Sequence, residues 1–327
     1  MPPEPENVPP QTRSSPALAA RSGDGKLLAV GLRCGRLGNR LALFANLIAF
    51  AEEYGHRVIN VTFHSYAALF EGTRRDVFCR YPAASGPSWL DVIPGVGDII
   101  RKTRIFYHLT RGLSVLNEKL PLFGKRVVTL KESGRIVLLE TPEVQAQIEG
   151  AKVVFVYGFI FRAPAAVQRH AEKIRAYFRP IERHDRASRQ IVDRLRQQAD
   201  VVVGVHIRRG DYINWSAGRY FFPVSRYGAW MHETVEQFPG RRVSFLVCSN
   251  EPLLAREFGG LSVEIAGGTP VEDLYALARC DYLIGPVGSF TQWASFYGGK
   301  PLFHLRHSED RIEREKFRVC HFEEVPH

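Results

Sequence analysis

What this sequence lacks narrows it first. Its five cysteines (Cys34, Cys79, Cys248, Cys280 and Cys320) are odd in number and none stands in a CxxC pair. That argues against a disulfide framework and against a zinc site, and it points to a reducing compartment. No apolar run reaches transmembrane length, so no integral membrane segment is expected. Residues 1–25 are polar and proline-rich without the apolar stretch of a signal peptide, and they read as a disordered tail. The expected location is therefore cytoplasmic, in a bacterium, with the basic charge leaving peripheral membrane association open. No GxxxxGK[ST] string appears, and no GxGxxG with an acidic residue ending the next strand, which removes the P-loop and the nicotinamide cofactor. A DxD pair is missing as well. Neither a cofactor nor a metal site is expected.

What is present suits a globular protein of two ordinary domains: 327 residues, 45% hydrophobic and 24% charged. The net charge of +10 comes mainly from arginine. Codon bias or a phosphate-bearing substrate accounts for it better than nucleic acid does. Arg162, Arg169, Lys173, Arg175, Arg179 and Arg183 would favour a nucleic-acid surface, yet aromatic residues are not interleaved with them as a stacking platform requires.

Periodicity gives an α/β chain. Leu27–Leu32 reads as a buried strand, Leu41–Phe50 as a buried helix ending at Gly55, and Arg57–Val61 as a second strand. Between Ser65 and Gln147 the pattern is weak, with short helices over Ala67–Phe70 and Val96–Thr110 and a strand near Arg135–Leu139. Val153–Tyr157 is a strand, and Ala165–Phe178 and Arg186–Gln198 are charged helices. The second half alternates more clearly. Strands at Val201–Ile207, Val243–Cys248, Ser262–Ile265, Tyr282–Gly285 and Pro301–His304 are separated by helices at Val224–Gln237, Pro252–Phe258, Val271–Cys280 and Phe290–Tyr297. That rhythm predicts a parallel, doubly wound sheet. Two such halves, 26–180 and 181–327, would face each other across a cleft.

Three clusters sit where such sheets bind ligands, outside the carboxyl ends of strands. Gly35-Arg36-Leu37-Gly38-Asn39-Arg40 follows the first strand and opens a helix, where glycines permit close backbone approach and the helix offers free N–H groups. His206-Ile207-Arg208-Arg209-Gly210-Asp211-Tyr212 ends the strand at Val201. Strand alternation puts His206 and Arg208 on one face, and a guanidinium can fork two N–H groups onto a phosphate. Gly285-Pro286-Val287-Gly288-Ser289-Phe290-Thr291 precedes a helix, and its hydroxyls suit either a cap or a phosphate. Asp273, on the preceding helix, reads as an exposed helix residue.

Together these strings resemble the GDP-fucose transferases, most closely the α-1,2-fucosyltransferases of glycosyltransferase family 11. The HxRRGDY motif is complete from His206 to Tyr212. A GRLGNQ-type turn is matched by Gly35 to Asn39 with Arg40 in place of glutamine, and an NSTFSWWAA-type string by Val287 to Ser295. The resemblance covers Leu27–Val61 and Val201–Leu305. It implies a GT-B-like fold of two Rossmann-like domains, a GDP-fucose donor, a glycan acceptor, an inverting reaction and no metal. It further implies catalytic roles for Arg208, Asn39 and Asp211, with Arg208 on the β-phosphate. Donor contacts would come from His206, Arg208, Arg209, Ser289, Phe290, Thr291, Gly35, Gly38 and Asp273. Asp211 suits the orienting of guanidinium groups better than proton abstraction, which leaves the general base unassigned. The departures at Arg40, Val287 and Gly288 bear on acceptor choice more than on donor class. A nucleotide-sugar-binding module without activity, or an α-1,6 linkage, fits the same motifs.

Overall fold

Apolar strands bounded by glycine turns build two five-stranded sheets in the computed structural model, which describes residues 25–84, 86, 105–119 and 124–323. The proline-rich tail and the first part of the helix expected at Val96 lie outside the described residues. Twelve strands are described: β1 (Leu27–Val30), β2 (Arg57–Ile59), β3 (Arg80–Tyr81), β4 (Val127–Lys131), β5 (Val137–Leu138), β6 (Val153–Tyr157), β7 (Phe161–Arg162), β8 (Val201–Ile207), β9 (Val243–Ser249), β10 (Val263–Ile265), β11 (Tyr282–Pro286) and β12 (Leu302–Leu305). The α-helices among the described residues are α1 (Leu37–Tyr54), α2 (His64–Ala67), α3 (Ile105–Lys119), α4 (Pro142–Ile148), α5 (Pro164–Arg169), α6 (Ala171–Tyr177), α7 (Glu182–Arg196), α8 (Val224–Glu236), α9 (Pro270–Leu277) and α10 (Ser289–Gly298).

The first sheet runs β3-β2-β1-β6-β4, parallel except for β3, and the second runs β10-β9-β8-β11-β12, parallel throughout. In the second sheet the chain steps outward from β8 to β10 and then returns to the other side of β8 with β11. The strand order therefore reverses between β8 and β11, and in the first sheet between β1 and β6. Crevices for ligands open at the carboxyl ends of such reversals.

α1 carries apolar residues all round and is accordingly buried along nearly its whole length, from Leu37 to Ala51. Gly55, at φ 67°, ends it in the left-handed conformation that glycine adopts without a Cβ penalty. One apolar core surrounds α1 and continues into the second half through Val202, Leu246, Leu274 and Trp293. A second core, with Val203, Val205, Ile207, Trp230 and Phe245, covers the opposite face of the second sheet. Edge-to-face rings tie the halves together: Phe44 meets Phe178 at 5.4 Å, and Phe178 meets Trp293 at 5.2 Å.

Several expected elements differ. The helix expected over Ala165–Phe178 breaks at His170 into α5 and α6. Instead of a helix at Pro252–Phe258, the chain makes one 3₁₀ turn, Ala255–Phe258, closed by Gly259 at φ 61°. The weak middle region supplies β4, which pairs with β6 at the sheet edge, and α3, which extends nine residues past the expected end at Thr110. No described helix is long and apolar enough to cross a membrane.

Asn46 is a fully buried amide on α1. Its Nδ2 donates to the Ala42 carbonyl at 2.7 Å and its Oδ1 accepts the Ala163 N–H at 2.7 Å, pinning the start of α5 to α1. Asn46→Ala would strand that buried N–H and should cost about 1–3 kcal/mol. Urea denaturation of the two proteins checks this, and a loss below about 0.5 kcal/mol would mean that water or a shifted backbone replaces the amide.

Candidate active site

The three motif clusters, far apart in sequence, meet at one place. Asn39 accepts a hydrogen bond from the Ser289 hydroxyl, 250 positions away. A Cβ added at Gly38 would lie 2.8 Å from Ser289 Oγ and 3.0 Å from the Phe290 amide nitrogen, so only glycine lets the two helix starts abut. Neither α1 nor α10 has a side-chain cap or an acidic residue in its first turn. Each presents unpaired N–H groups and the positive end of its macrodipole. Gly35, at φ 65°, packs so tightly on Asn39 that a Cβ would reach 2.3 Å from its Nδ2.

Behind this turn lies Arg40. Its side chain is buried, with Nε donating to the Gly35 carbonyl at 3.1 Å and Nη1 to the Thr62 carbonyl at 3.1 Å and to Ser65 Oγ at 2.8 Å. The guanidinium also lies 5.0 Å from the centre of the Tyr66 ring. Arg40 thus braces the Gly35 turn from behind.

Arg208 leaves the end of β8 with 18% of its side chain exposed. Its Nε and Nη2 fork onto the two oxygens of Asp211 at 2.9 and 2.7 Å, and its guanidinium lies 5.3 Å from the centre of the Tyr212 ring. Arg36, from the α1 turn, reaches the same carboxylate at 3.6 Å. These cations hold the Asp211 carboxyl below the ordinary carboxylate range, Arg208 foremost. A weak base of that kind suits an orienting role. Tyr212 meets α10 as well, since a Cβ on Gly288 would lie 3.0 Å from the tyrosine hydroxyl.

Arg209 has different neighbours. Its Nε is 3.5 Å from Glu251, its guanidinium lies 5.0 Å from the centre of the Phe221 ring, and its amide donates to Asn250 Oδ1 at 2.9 Å. The Gly210 amide donates to Glu251 Oε1 at 2.8 Å. The two arginines therefore pair with different carboxylates. Strand alternation sends Arg208 toward Asp211 and Arg36, and Arg209 toward the end of β9. Asn250 and Glu251 were not anticipated, although they follow the strand next to β8, where the carboxyl-end rule could have found them.

His206 is buried and stacks on Phe290, with centroids 4.7 Å apart and planes 26° from parallel. Burial, then the neighbouring Arg208 charge, pushes its pKa down to about 3, so the ring is neutral at physiological pH. Thr291 is buried, and its hydroxyl bonds to the Pro286 and Gly288 carbonyls at 3.1 and 3.0 Å. The hydroxyl donates and does not cap a backbone N–H, so it is spent on the turn. Asp273 is half-buried in the first turn of α9, not exposed as its sequence position suggested. Its Oδ1 accepts the Gly268 N–H at 3.2 Å, and burial raises its pKa to about 6.

Residues 172–310, which include the second and third clusters, match the family model of glycosyl transferase family 11. Over 120 residues the chain is 30% identical to galactoside alpha-(1,2)-fucosyltransferase 2 of Rattus norvegicus, which is 33% of each chain. The chain thus spans about a third of the length of such curated relatives. Its fold is similar to that of Arabidopsis thaliana FUT1, solved as a mutant in complex with GDP: TM-score 0.52, 13% identity, 92% of this chain and 75% of that one. Similarity to the fucosyltransferase NodZ from Bradyrhizobium is comparable, with TM-score 0.52, 14% identity, and 86% and 96% of the two chains. The resemblance carried by the motifs holds, and the fold is α/β of the GT-B-like kind with two parallel-stranded sheets.

The neutral His206 has a consequence for stability. Its folded pKa of about 3 lies below the ordinary 6.5, so between those values the unfolded chain binds a proton that the folded chain refuses. The stabilisation is complete above pH 6.5 and falls as pH drops toward 3. From pH 6.5 to 5 the loss should be about 2 kcal/mol, at about 1.4 kcal/mol per unit. His206→Asn should lack this component, which urea denaturation at pH 7 and pH 5 would detect. Equal losses in both proteins would mean that the imidazole is solvated.

Proposed function

We propose that this chain transfers fucose from GDP-fucose to a glycan hydroxyl, by an inverting reaction without a metal ion, in α-1,2 linkage to galactose. The observation that carries the reading is the convergence of Arg208, Arg36 and two uncapped helix starts on one spot between the sheets. This is a site for a doubly charged leaving group. Residues 181–327 would hold the donor and residues 26–180 would face the acceptor.

In the transfer, the acceptor oxygen bonds to the anomeric carbon while the bond from that carbon to the β-phosphate oxygen breaks. The electron pair goes to GDP, and the acceptor hydroxyl's proton passes to water. Negative charge therefore grows on the diphosphate. Asp211 takes Nε and Nη2 of Arg208, whereas Nη1 makes no hydrogen bond among the described residues and is available to a phosphate oxygen. A helix start contributes about 0.3–1 kcal/mol to an anion, while one preorganised charged donor is worth about 3–4 kcal/mol in the transition state. Arg208 is thus the main electrostatic element, with Arg36 and the helix starts as additions. Asn39 and Ser289 would position the sugar phosphate, and the neutral His206, stacked on Phe290, would avoid adding a mobile proton beside it. Asp273, half-buried and with a raised pKa, would contact the nucleotide base, and Arg209 would add positive charge at the end of β8.

Two measurements test this. GDP and GDP-fucose should raise the melting temperature in the presence of EDTA, whereas UDP-sugars should not. Arg208→Ala should fold normally and lose about a hundred- to a thousand-fold in kcat. Near-normal turnover of that variant would remove the leaving-group assignment. Product analysis by linkage-specific glycosidases separates α-1,2 from α-1,6 transfer.

A further inference from the structure

The loop after Arg209 is built in an unusual way and carries side chains that the donor reading does not use. It runs through two short 3₁₀ turns, Gly210–Ile213 and Trp215–Gly218. Ser216 and Ala217 both take left-handed backbone angles, φ 51° and 54°, without being glycine. Residues held in that region tend to cluster at ligand clamps.

What the strained turn achieves is the placement of one ring. Trp215 packs against both Tyr212 and Tyr220, with centroids 4.6 and 5.6 Å away and both planes 30° from parallel. Tyr220 is buried and anchors the stack, Tyr212 is half-buried, and Trp215 is 36% exposed. Ile213, in the same loop, is 56% exposed. Trp230 and Trp293, by contrast, are fully buried. The stack also leads back to the chemistry, because the Arg208 guanidinium lies 5.3 Å from the centre of Tyr212. Two steps, of 5.3 and 4.6 Å, put the indole within a sugar unit or two of the group assigned to the leaving diphosphate.

We propose that Trp215, with Ile213 beside it, is the acceptor platform: the apolar face of a terminal pyranose stacks on the indole and turns a hydroxyl toward Arg208 and Asn39. A galactose-type ring suits it best, since an axial 4-hydroxyl leaves a continuous C–H surface on one face. An amphipathic ring held rigidly from behind gives contact area at little entropic cost. This inference rests on the fucosyltransferase reading of the neighbouring site.

The test uses the full chain with lactose, N-acetyllactosamine and chitobiose as probes. Trp215→Ala should raise the KM for lactose about tenfold or more, while Trp215→Phe, which keeps a flat ring, stays within about threefold of the parent. The KM for GDP-fucose and the thermal shift with GDP should be unchanged in both. Saturation-transfer NMR with lactose should give a signal in the parent that is lost in Trp215→Ala. An unchanged lactose KM, or saturation transfer that survives Trp215→Ala, overturns the platform. If GDP fails to stabilise even the parent, the donor reading falls, and the NMR experiment still decides whether a galactoside stacks on Trp215. Should Trp215→Ala not fold, Ile213→Ser takes its place, with a severalfold rise in lactose KM expected and no change overturning the proposal.

Discussion

The closeness of two helix starts is the constraint on which the rest of this molecule depends. α1 and α10 both begin with unpaired N–H groups, both lack an acid in the first turn, and they touch through Gly38 and Ser289. Each start carries roughly half a positive charge, so their juxtaposition is unfavourable on its own. Some other helix starts are compensated, α7 by Glu182 and Asp185 and α9 by Glu272 and Asp273, whereas α5 and α8 begin, like α1 and α10, without an acid. At the meeting point the chain adds Arg36 and Arg208, with Asp211 as the carboxylate between them. The arrangement concentrates positive potential at a spot where an anion can reach it.

Apolar packing overcomes that repulsion. α1 is enclosed by apolar neighbours from both halves, and the Phe44, Phe178 and Trp293 rings cross from one half to the other. Each fully buried aromatic contributes about 1.5–3 kcal/mol relative to exposure, more than the few tenths to one kcal/mol at stake in a surface-exposed helix end. The two sheets therefore do not meet only across solvent; beneath the site they share a core. Preorganised charge of this kind needs no rearrangement when the leaving group develops its own charge.

Much of the site was legible because its residues break local rules. Gly35, Gly38 and Gly288 interrupt apolar patterns at strand ends, and Arg208 and Arg209 place charge directly after a buried strand. Such violations can be seen in one dimension. What escaped were partnerships set by tertiary placement. Nothing local ties Arg209 to Glu251 at the end of β9, or spends the Thr291 hydroxyl on two carbonyls. Asp273 looked exposed because its helix has acids in its first turn, but packing half-buries it and raises its pKa. The break at His170 and the shrinking of the Pro252–Phe258 helix to one turn, closed by Gly259 in the left-handed conformation, are departures of the backbone from the helix that propensity favoured.

The departures from the family strings take on a different meaning once their surroundings are known. Arg40 is buried behind the Gly35 turn, Val287 is buried in the second core, and Gly288 lies against the Tyr212 hydroxyl. All three are buried, so these differences alter the support of the site. On the proposed reading, selection among acceptors falls to side chains that solvent can reach near Arg208. In the described residues next to it, the loop of Ile213 and Trp215 offers apolar surface of that kind, on a backbone held in conformations that non-glycine residues rarely adopt. The donor half of the reaction would then be written in strand ends and glycines, and the acceptor half in a loop whose meaning depends on how its rings stack.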